Sequence, residues 1–320
     1  FKKNKMIKKI STPILITGAK GFIGSNLLRK LVYEGYETNV ILKSKNKCWR
    51  IRDILEKTNI IIGDLNNFES INKIINKLKP KTIFHLATYG AYEYQNEIEK
   101  IKKVNLDATI NLLKTCSKQG FKTFVNTGSN SEYGFKKKPM KETDLLEPNS
   151  YYAIFKAATT LFCHYESISK KLPITTVRPF HVYGPYEEST RLIPTLISKL
   201  LNNQNPPLVS PNVARDMIYI DDVVDFYLMI ASKQSTKGDI FNLGSGCQKT
   251  IKEIYFGISN IINSNLKPKW NSMNHRSWDQ TTWKADMTIV KKRFKWKPKN
   301  NLKQGLTKSI NWHRKFYKIP

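Results

Sequence analysis

Three glycines at a spacing of three, Gly18, Gly21 and Gly24, interrupt an apolar run and constrain this chain more than any other feature. Ile14-Leu15-Ile16-Thr17 precedes them as a strand, and Ile23, Leu27, Leu28 and Leu31 follow on one helical face. Gly18 permits a turn that a side chain would obstruct, Gly21 lets backbone approach a ligand, and Gly24 lets the helix pack closely on the strand. The helix N-terminus adds amide donors and the positive end of its dipole, which together suit a pyrophosphate.

The pattern continues. Thr38–Leu42 reads as a second strand, Ile60–Ile62 as a third, Thr82–Thr88 as a fourth and Lys122–Thr127 as a fifth, with helical periodicity from Asn105 to Leu113. Strands alternating with helices predict an α/β chain with a doubly wound, parallel, Rossmann-type sheet. At the end of the second strand Lys43-Ser44-Lys45 offers cations and a hydroxyl where a carboxylate would suit the ribose of NAD; this favours the extra phosphate of NADP(H), with NAD(H) as the alternative. Asp64, in Gly63-Asp64-Leu65, offers a carboxylate at the third strand's end, and His85, inside an apolar run, reads as a packed core histidine.

Composition bounds the partners. The 320 residues carry 54 basic and 25 acidic side chains, a net charge of +29, which raises nucleic acid, anionic membranes or phosphorylated small molecules. The lysines are spread through every segment, so a dedicated nucleic-acid surface is not expected. Four cysteines lie far apart without a C-x-x-C pair, predicting neither a disulfide framework nor a metal site, and a reducing cytoplasm is the expectation. The basic start, Phe1 to Met6, reads as a tail rather than a signal peptide, and no apolar run approaches the ~20 residues of a membrane span.

The fifth strand runs into a hydroxyl cluster, Asn126-Thr127-Gly128-Ser129-Asn130-Ser131-Glu132-Tyr133-Gly134, where open α/β sheets bind ligands. Tyr152 and Lys156 stand four residues apart, on one face of a predicted helix. A phenol of ordinary pKa near 10 is only about 0.1% ionised at neutral pH, and an ammonium supplying about 4 kcal/mol would make it a usable acid and base. Ser129 would hydrogen-bond the reacting oxygen.

Thr17-Gly18-x-x-Gly21-x-x-Gly24, Gly63-Asp64-Leu65, the Ser129 cluster and Tyr152-x-x-x-Lys156, in this order and spacing, resemble the extended short-chain dehydrogenase/reductases of the NAD-dependent epimerase/dehydratase family, which act on nucleotide sugars. Arg178-Pro179-Phe180-His181-Val182-Tyr183-Gly184-Pro185, Arg215 to Val223, Phe241-Asn242-Leu243-Gly244, His275 to Asp279 and Phe294 to Pro298 extend the likeness over nearly the whole chain.

The resemblance implies a dinucleotide-binding domain at about 7–180, rejoined by about 216–245, and a smaller C-terminal α/β domain, mainly 181–320, for the nucleotide sugar. It implies a catalytic triad of Ser129, Tyr152 and Lys156, and cofactor binding by Gly18, Gly21, Phe22, Ile23, Gly24, Asp64, Leu65 and Lys156, to which the strand-end reading adds Lys43 and Ser44. Arg215 and Arg276 match arginines that clamp the diphosphate, Arg191 lies where the family closes on the base, and a homodimer through the helices at Asn105–Lys114 and Tyr152–Ser169 is implied. Lys43 replaces the family's common acidic residue, and His181 the asparagine of many galactose epimerases. His85-Leu86-Ala87-Thr88, Asn126-Thr127 and His181 to Gly184 look most like CDP-4-keto-6-deoxyhexose reductases such as CDP-abequose synthase. The expectation is hydride transfer between NADP(H) and a 4-keto-6-deoxyhexose nucleotide; the alternative is an NAD-dependent nucleotide-sugar 4-epimerase, and a non-catalytic cofactor- or RNA-binding protein stands further off.

Overall fold

A computed structural model describes residues 10–92, 94–233, 235, 237–273 and 281–318. In order, the chain forms β1 (Ile14–Thr17), α1 (Phe22–Tyr33), β2 (Thr38–Leu42), β3 (Asn59–Ile62), α2 (Phe68–Leu78), β4 (Thr82–His85), α3 (Ile98–Lys102) and α4 (Ala108–Gln119). There follow β5 (Thr123–Thr127), α5 (Tyr151–Lys170), β6 (Ile174–Pro179), β7 (His181–Tyr183), α6 (Leu192–Leu201), β8 (Ala214–Tyr219) and α7 (Ile220–Ala231). The last elements are β9 (Ile240–Leu243), β10 (Gln248–Thr250), α8 (Ile251–Ile262), α9 (Thr288–Phe294) and α10 (Leu302–Tyr317). The chain divides into two compact units: residues up to Gly134 with Leu146–Arg178 and Val224–Phe241, and Phe135–Leu145 with Pro179–Val223 and the chain from Asn242 onward.

The first unit is built on a seven-stranded sheet in the order β3-β2-β1-β4-β5-β6-β9. β1 pairs in parallel with β2 and β4, β2 with β3, β4 with β5 and β5 with β6. Every residue of β1, β2 and β4 is buried, as expected for strands covered by helices on both faces. One core joins Leu15, Ile83 and Phe124 of the sheet to Ile71 and Ile75 of α2 and Leu112 and Cys116 of α4. The chain leaves β1 for β2 on one side and β4 adjoins it on the other, so the carboxyl ends of β1 and β4 frame the crevice where such sheets take ligands. The sheet is the doubly wound one that the sequence predicts.

Two segments differ from the sequence reading. β4 ends at His85, not Thr88, because side chains capture the next backbone donors: Ala87 N–H donates to Thr17 Oγ1 (3.4 Å) and Tyr89 N–H to Asn105 Oδ1 (3.0 Å). The periodic stretch from Asn105 begins inside a π turn, Lys103–Asp107, between α3 and α4. There the Asn105 carbonyl accepts from the hydroxyls of Thr109 (2.6 Å) and Thr159 (2.9 Å), bonds that compete with the regular helical ladder.

In the second unit a small sheet runs β10-β8-β7, with β7 parallel and β10 antiparallel to β8. Asp216 of β8, fully buried, accepts from the N–H groups of Ser245 (2.7 Å), Gly246 (3.0 Å) and Ala285 (2.9 Å) and from the Ser245 hydroxyl (2.6 Å). Asp222 of α7 likewise accepts from the N–H groups of Lys299 (2.8 Å) and Asn300 (3.1 Å). These two carboxylates explain two of the three acidic positions in the Arg215–Val223 stretch as loop clamps.

The glycine turn allows no side chain where the sequence demands none. Gly18 has φ +74°, and a Cβ there would lie 2.5 Å from Ala87 N; a Cβ on Gly24 would overlap the Gly18 carbonyl group, with its carbon 2.9 Å away. Gly24→Val therefore has to push α1 off β1. The expected loss is about 1–3 kcal/mol of stability, read as a lower thermal midpoint with dinucleotide binding lost.

Candidate functional site

The turn between β1 and α1 is shaped for a phosphate group. Gly21 N–H closes it on Gly18 O (2.9 Å), Gly21 is the N-cap of α1, and Phe22, Ile23 and Gly24 form the helix's first turn, which carries no acidic residue. The free amides of that turn and the backbone approach that the glycines permit fit a dinucleotide pyrophosphate. The Lys20 ammonium reaches across to the carbonyls of Ser44 (3.2 Å) and Asn46 (2.9 Å), tying the loop after β2 to the glycine turn.

At the end of β2, Lys43 is not the open cation that its sequence position suggests. Its ammonium pairs with Asp64 Oδ2 at 2.7 Å. Partial burial opposes ionisation of Asp64, but the Lys43 hydrogen bond and the Asn66 N–H outweigh it and hold the carboxyl below the usual range. The Leu65 side chain is partly buried against the core of the unit.

The carboxyl end of β5 carries the reactive groups. Lys156 is 4% exposed, and its ammonium donates to the Thr127 carbonyl. Burial pushes its pKa down to about 8, with the Glu132 carboxylate acting in the opposite sense. Tyr152 lies one turn before it on α5, a helix capped by Ser150, whose Oγ accepts from Ala153 N–H (3.2 Å). Thr127 Oγ1 accepts from Tyr227 OH (2.9 Å), and burial, with Tyr152 adding to the effect, pushes the Tyr227 phenol well above its ordinary pKa, so it stays protonated. Ser129 is buried; its Oγ lies 2.7 Å from Ser131 Oγ and accepts from Ser131 N–H (3.2 Å), while its N–H donates to Glu132 Oε1 (2.7 Å). The three residues expected to form a triad thus lie on Thr127–Ser129 and the first two turns of α5. Tyr152 and Lys156 share one face of α5, so the arrangement offers a phenol and an ammonium side by side for proton transfer.

His85 is the packed histidine that the apolar run predicts. Burial, and then the charge of Lys156, push its pKa down to about 3, so the ring is neutral. Thr109 gives its hydroxyl proton to Asn105 O, so His85 Nε2 donates to Thr109 Oγ1 (2.8 Å) and Nδ1 accepts from Thr17 Oγ1 (2.7 Å).

In the second unit, Arg215 is 9% exposed, donates to Ala214 O (2.9 Å) and stands 5.9 Å from the Trp283 ring; Arg191 is the N-cap of α6. His181 meets Trp283 edge-on at 5.9 Å, and its Nδ1 is a buried polar atom without a hydrogen-bond partner. Burial first, and then Arg215 and Arg191, hold His181 well below its ordinary pKa, so both arginines lie within electrostatic reach of one neutral imidazole. The group fits an anion whose charge would relieve the arginines' repulsion. Arg276 lies outside the described residues.

Sequence reasoning missed Glu132, Tyr227 and Trp283. Glu132 stood within the hydroxyl cluster after the fifth strand with no role of its own read for it, and the others carried no local signal. Among the described residues no three His, Cys, Asp or Glu side chains cluster to hold a metal, and no helix is long and apolar enough to cross a membrane.

Comparison with known proteins adds the lineage. The model of the NAD dependent epimerase/dehydratase family matches residues 14–244. An uncharacterized UDP-glucose epimerase of Bacillus subtilis is 28% identical, the match covering 95% of this chain and 98% of the relative. UDP-glucuronate 4-epimerase of Thermodesulfobacterium geofontis is 27% identical over 94% of this chain and 95% of its own. Among solved structures, UDP-glucose 4-epimerase of Thermotoga maritima, with UDP-glucose, is 25% identical at a TM-score of 0.87, covering 95% of this chain and 99% of that one. By its glycine turn, its doubly wound sheet and a family match over most of its length, the chain belongs to the NAD dependent epimerase/dehydratase family.

Proposed function

We propose that this chain is a nucleotide-sugar 4-epimerase, inverting one ring carbon of a UDP-sugar by removing its hydrogen as hydride and returning it to the opposite face. Tyr152 takes the proton of the hydroxyl on that carbon and later gives it back. Lys156 keeps the phenol acidic, and Ser129 donates to the oxygen as it becomes a carbonyl. NAD(H), held by Gly18, Gly21, Phe22, Ile23, Gly24, Asp64 and Leu65, would accept the hydride and return it. Arg215 holds the diphosphate, Arg276 is assigned the same role from its motif, and Arg191 closes on the base.

The observation that carries the epimerase over the 4-ketoreductase is the Lys43–Asp64 pair: the cation that made NADP(H) attractive already has a carboxylate at 2.7 Å, and that carboxylate would repel a ribose phosphate. The names of the relatives point the same way. The reductase remains the second reading because Lys20 and Lys45 add positive charge to the loop that includes Ser44. The purified chain is expected to interconvert UDP-glucose and UDP-galactose, or another pair of UDP-sugar 4-epimers, without net change in absorbance at the nicotinamide band. Stoichiometric consumption of NADPH with a 4-keto-6-deoxy sugar nucleotide would replace the epimerase with the reductase.

The roles separate kinetically. Tyr152→Phe keeps the ring and loses the proton, so kcat should fall about 10²- to 10⁴-fold with substrate affinity little changed. Arg215→Ala should instead weaken UDP-sugar binding about 10-fold or more, from charged hydrogen bonds at ~1.5–3 kcal/mol each, and leave NAD(H) binding intact. A loss of NAD(H) binding in the arginine variant would move that residue to the other ligand.

The partner we propose is a second copy. Tyr151, Ile154, Leu161, Tyr165 and Ile168 of α5 are between 43% and 65% exposed. Together with Ala158 they repeat at heptad positions a and d, the seam by which helices pair. Light scattering should give twice the 37.1 kDa chain mass. Leu161→Glu with Tyr165→Glu should give the single-chain mass, and a monomeric wild type would refute the dimer.

A further inference from the structure

Glu132 is fully buried, and its carboxylate has three partners from three segments. Oε1 accepts from Ser129 N–H at the end of β5 (2.7 Å) and from Thr160 Oγ1 of α5 (3.0 Å). Oε2 accepts from Arg178 Nε of β6 (2.8 Å). All three partners donate, which matches an ionised carboxylate and would leave a protonated acid's O–H without an acceptor. Arg178 is itself held, Nη1 donating to Tyr133 OH (2.7 Å) with the guanidinium 4.6 Å from the Tyr133 ring. Room for the carboxylate is made at Gly128, where a Cβ would lie 2.6 Å from Oε1.

Two of those partners belong to the reacting groups' own supports. Ser129 carries the hydroxyl that meets the substrate oxygen, and Thr160 lies one helical turn beyond Lys156 and two beyond Tyr152. We propose that Glu132 is a positioning residue: by binding the Ser129 backbone and α5 to one carboxylate it keeps the Ser129 hydroxyl in register with Tyr152 and Lys156. The Ser129 hydroxyl itself bonds within its own turn, to Ser131 N–H and Ser131 Oγ, so its place relative to α5 is set through the backbone that Glu132 holds.

The charge has a second effect. Lys156 is faced by Glu132 from the turn, His85 from β4 and Cys163 from α5; Cys163 stays a thiol, raised to about 12 by burial, and His85 is neutral. Glu132, itself paired with Arg178, is the carboxylate that opposes the loss of the Lys156 proton. Removing its charge moves that loss to lower pH, so the alkaline limb of activity moves down with it.

A buried ion pair can also serve folding alone, and replacing both charges by apolar groups is often tolerated. The test therefore compares wild type, Glu132→Gln, the pair Glu132→Val/Arg178→Met, and Glu132→Gln in a Ser129→Ala background, assayed by UDP-glucose/UDP-galactose interconversion. The assay rests on the epimerase reading and uses, in place of that pair if need be, the UDP-sugar 4-epimers that the wild type interconverts: a wild type inactive on every pair defeats that reading, and the same variants are then scored as 4-keto-6-deoxy sugar reductases with NADPH. Glu132→Gln is expected to lower kcat about 10- to 100-fold, with KM changed less than about 3-fold and the alkaline limb at lower pH. In the Ser129→Ala background the same change should cost little, because the two act through one hydroxyl. The apolar pair should recover thermal stability without recovering kcat, and it decides the matter if Glu132→Gln is too unstable to assay. Wild-type kcat in Glu132→Gln, full additivity with Ser129→Ala, or recovery of kcat together with stability in the apolar pair would each overturn the proposal.

Discussion

Three charged side chains, Glu132, Arg178 and Lys156, lie almost wholly out of water beyond the carboxyl end of β5, and the first unit is arranged to make that tolerable. An unpaired buried charge costs several kcal/mol, so each must find partners in the protein. Glu132 and Arg178 neutralise each other; Lys156 has the Thr127 carbonyl and the field of Glu132. The requirement explains local features that look unrelated. Gly128 is a glycine because the carboxylate fills its side-chain space, Tyr133 turns its hydroxyl inward to Arg178, and Thr160 is polar on a buried face of α5.

The same economy runs through the second unit, where carboxylates serve as backbone clamps. Asp216 gathers donors from three residues of two loops, and Gly244 leaves it space, since a Cβ there would lie 2.8 Å from Oδ2. Arg215 is therefore one residue from a rigid hub on a short strand, while its neighbour Trp283 sits on the stretch that Asp216 holds through Ala285. An arginine that is to bind an anion gains from such a mount, because less of its side-chain freedom has to be lost on binding.

What was legible in the sequence is what is local. The glycine spacing is a statement about backbone approach, and nothing but glycine meets it; the order of strands and helices follows from apolar periodicity; Tyr152 and Lys156 share a face because one turn separates them. What was illegible depends on partners far along the chain. Glu132 reads as turn chemistry until Arg178, 46 residues on, is brought beside it. At the π turn Lys103–Asp107 the Asn105 carbonyl accepts from Thr159, 54 residues on, while the sequence there has ordinary helical periodicity. Lys43 reads as an open cation because its partner sits at the end of the neighbouring strand, and parallel pairing of β2 with β3 is what carries the two side chains together.

That last pair bears on the choice between reactions, because cofactor and reaction are one question here. A reductase must release a spent dinucleotide at each turnover, whereas an epimerase returns the hydride it took and gains from holding on. The Lys43–Asp64 bridge is itself weak: Lys43 is 77% exposed, and surface pairs of this kind contribute about 0–1 kcal/mol. It does not bar a phosphate by strength. Its effect is on sign, since Asp64 puts a negative charge where a 2′-phosphate would seek only positive ones, and offers the same carboxylate to a ribose or adenine donor. The family's usual acid after the second strand is missing here, and the lysine in its place is held by the acid at the end of β3. A cation and an anion held together there suit the neutral ribose of NAD(H), and so a cofactor that stays, better than a phosphorylated one drawn from a pool.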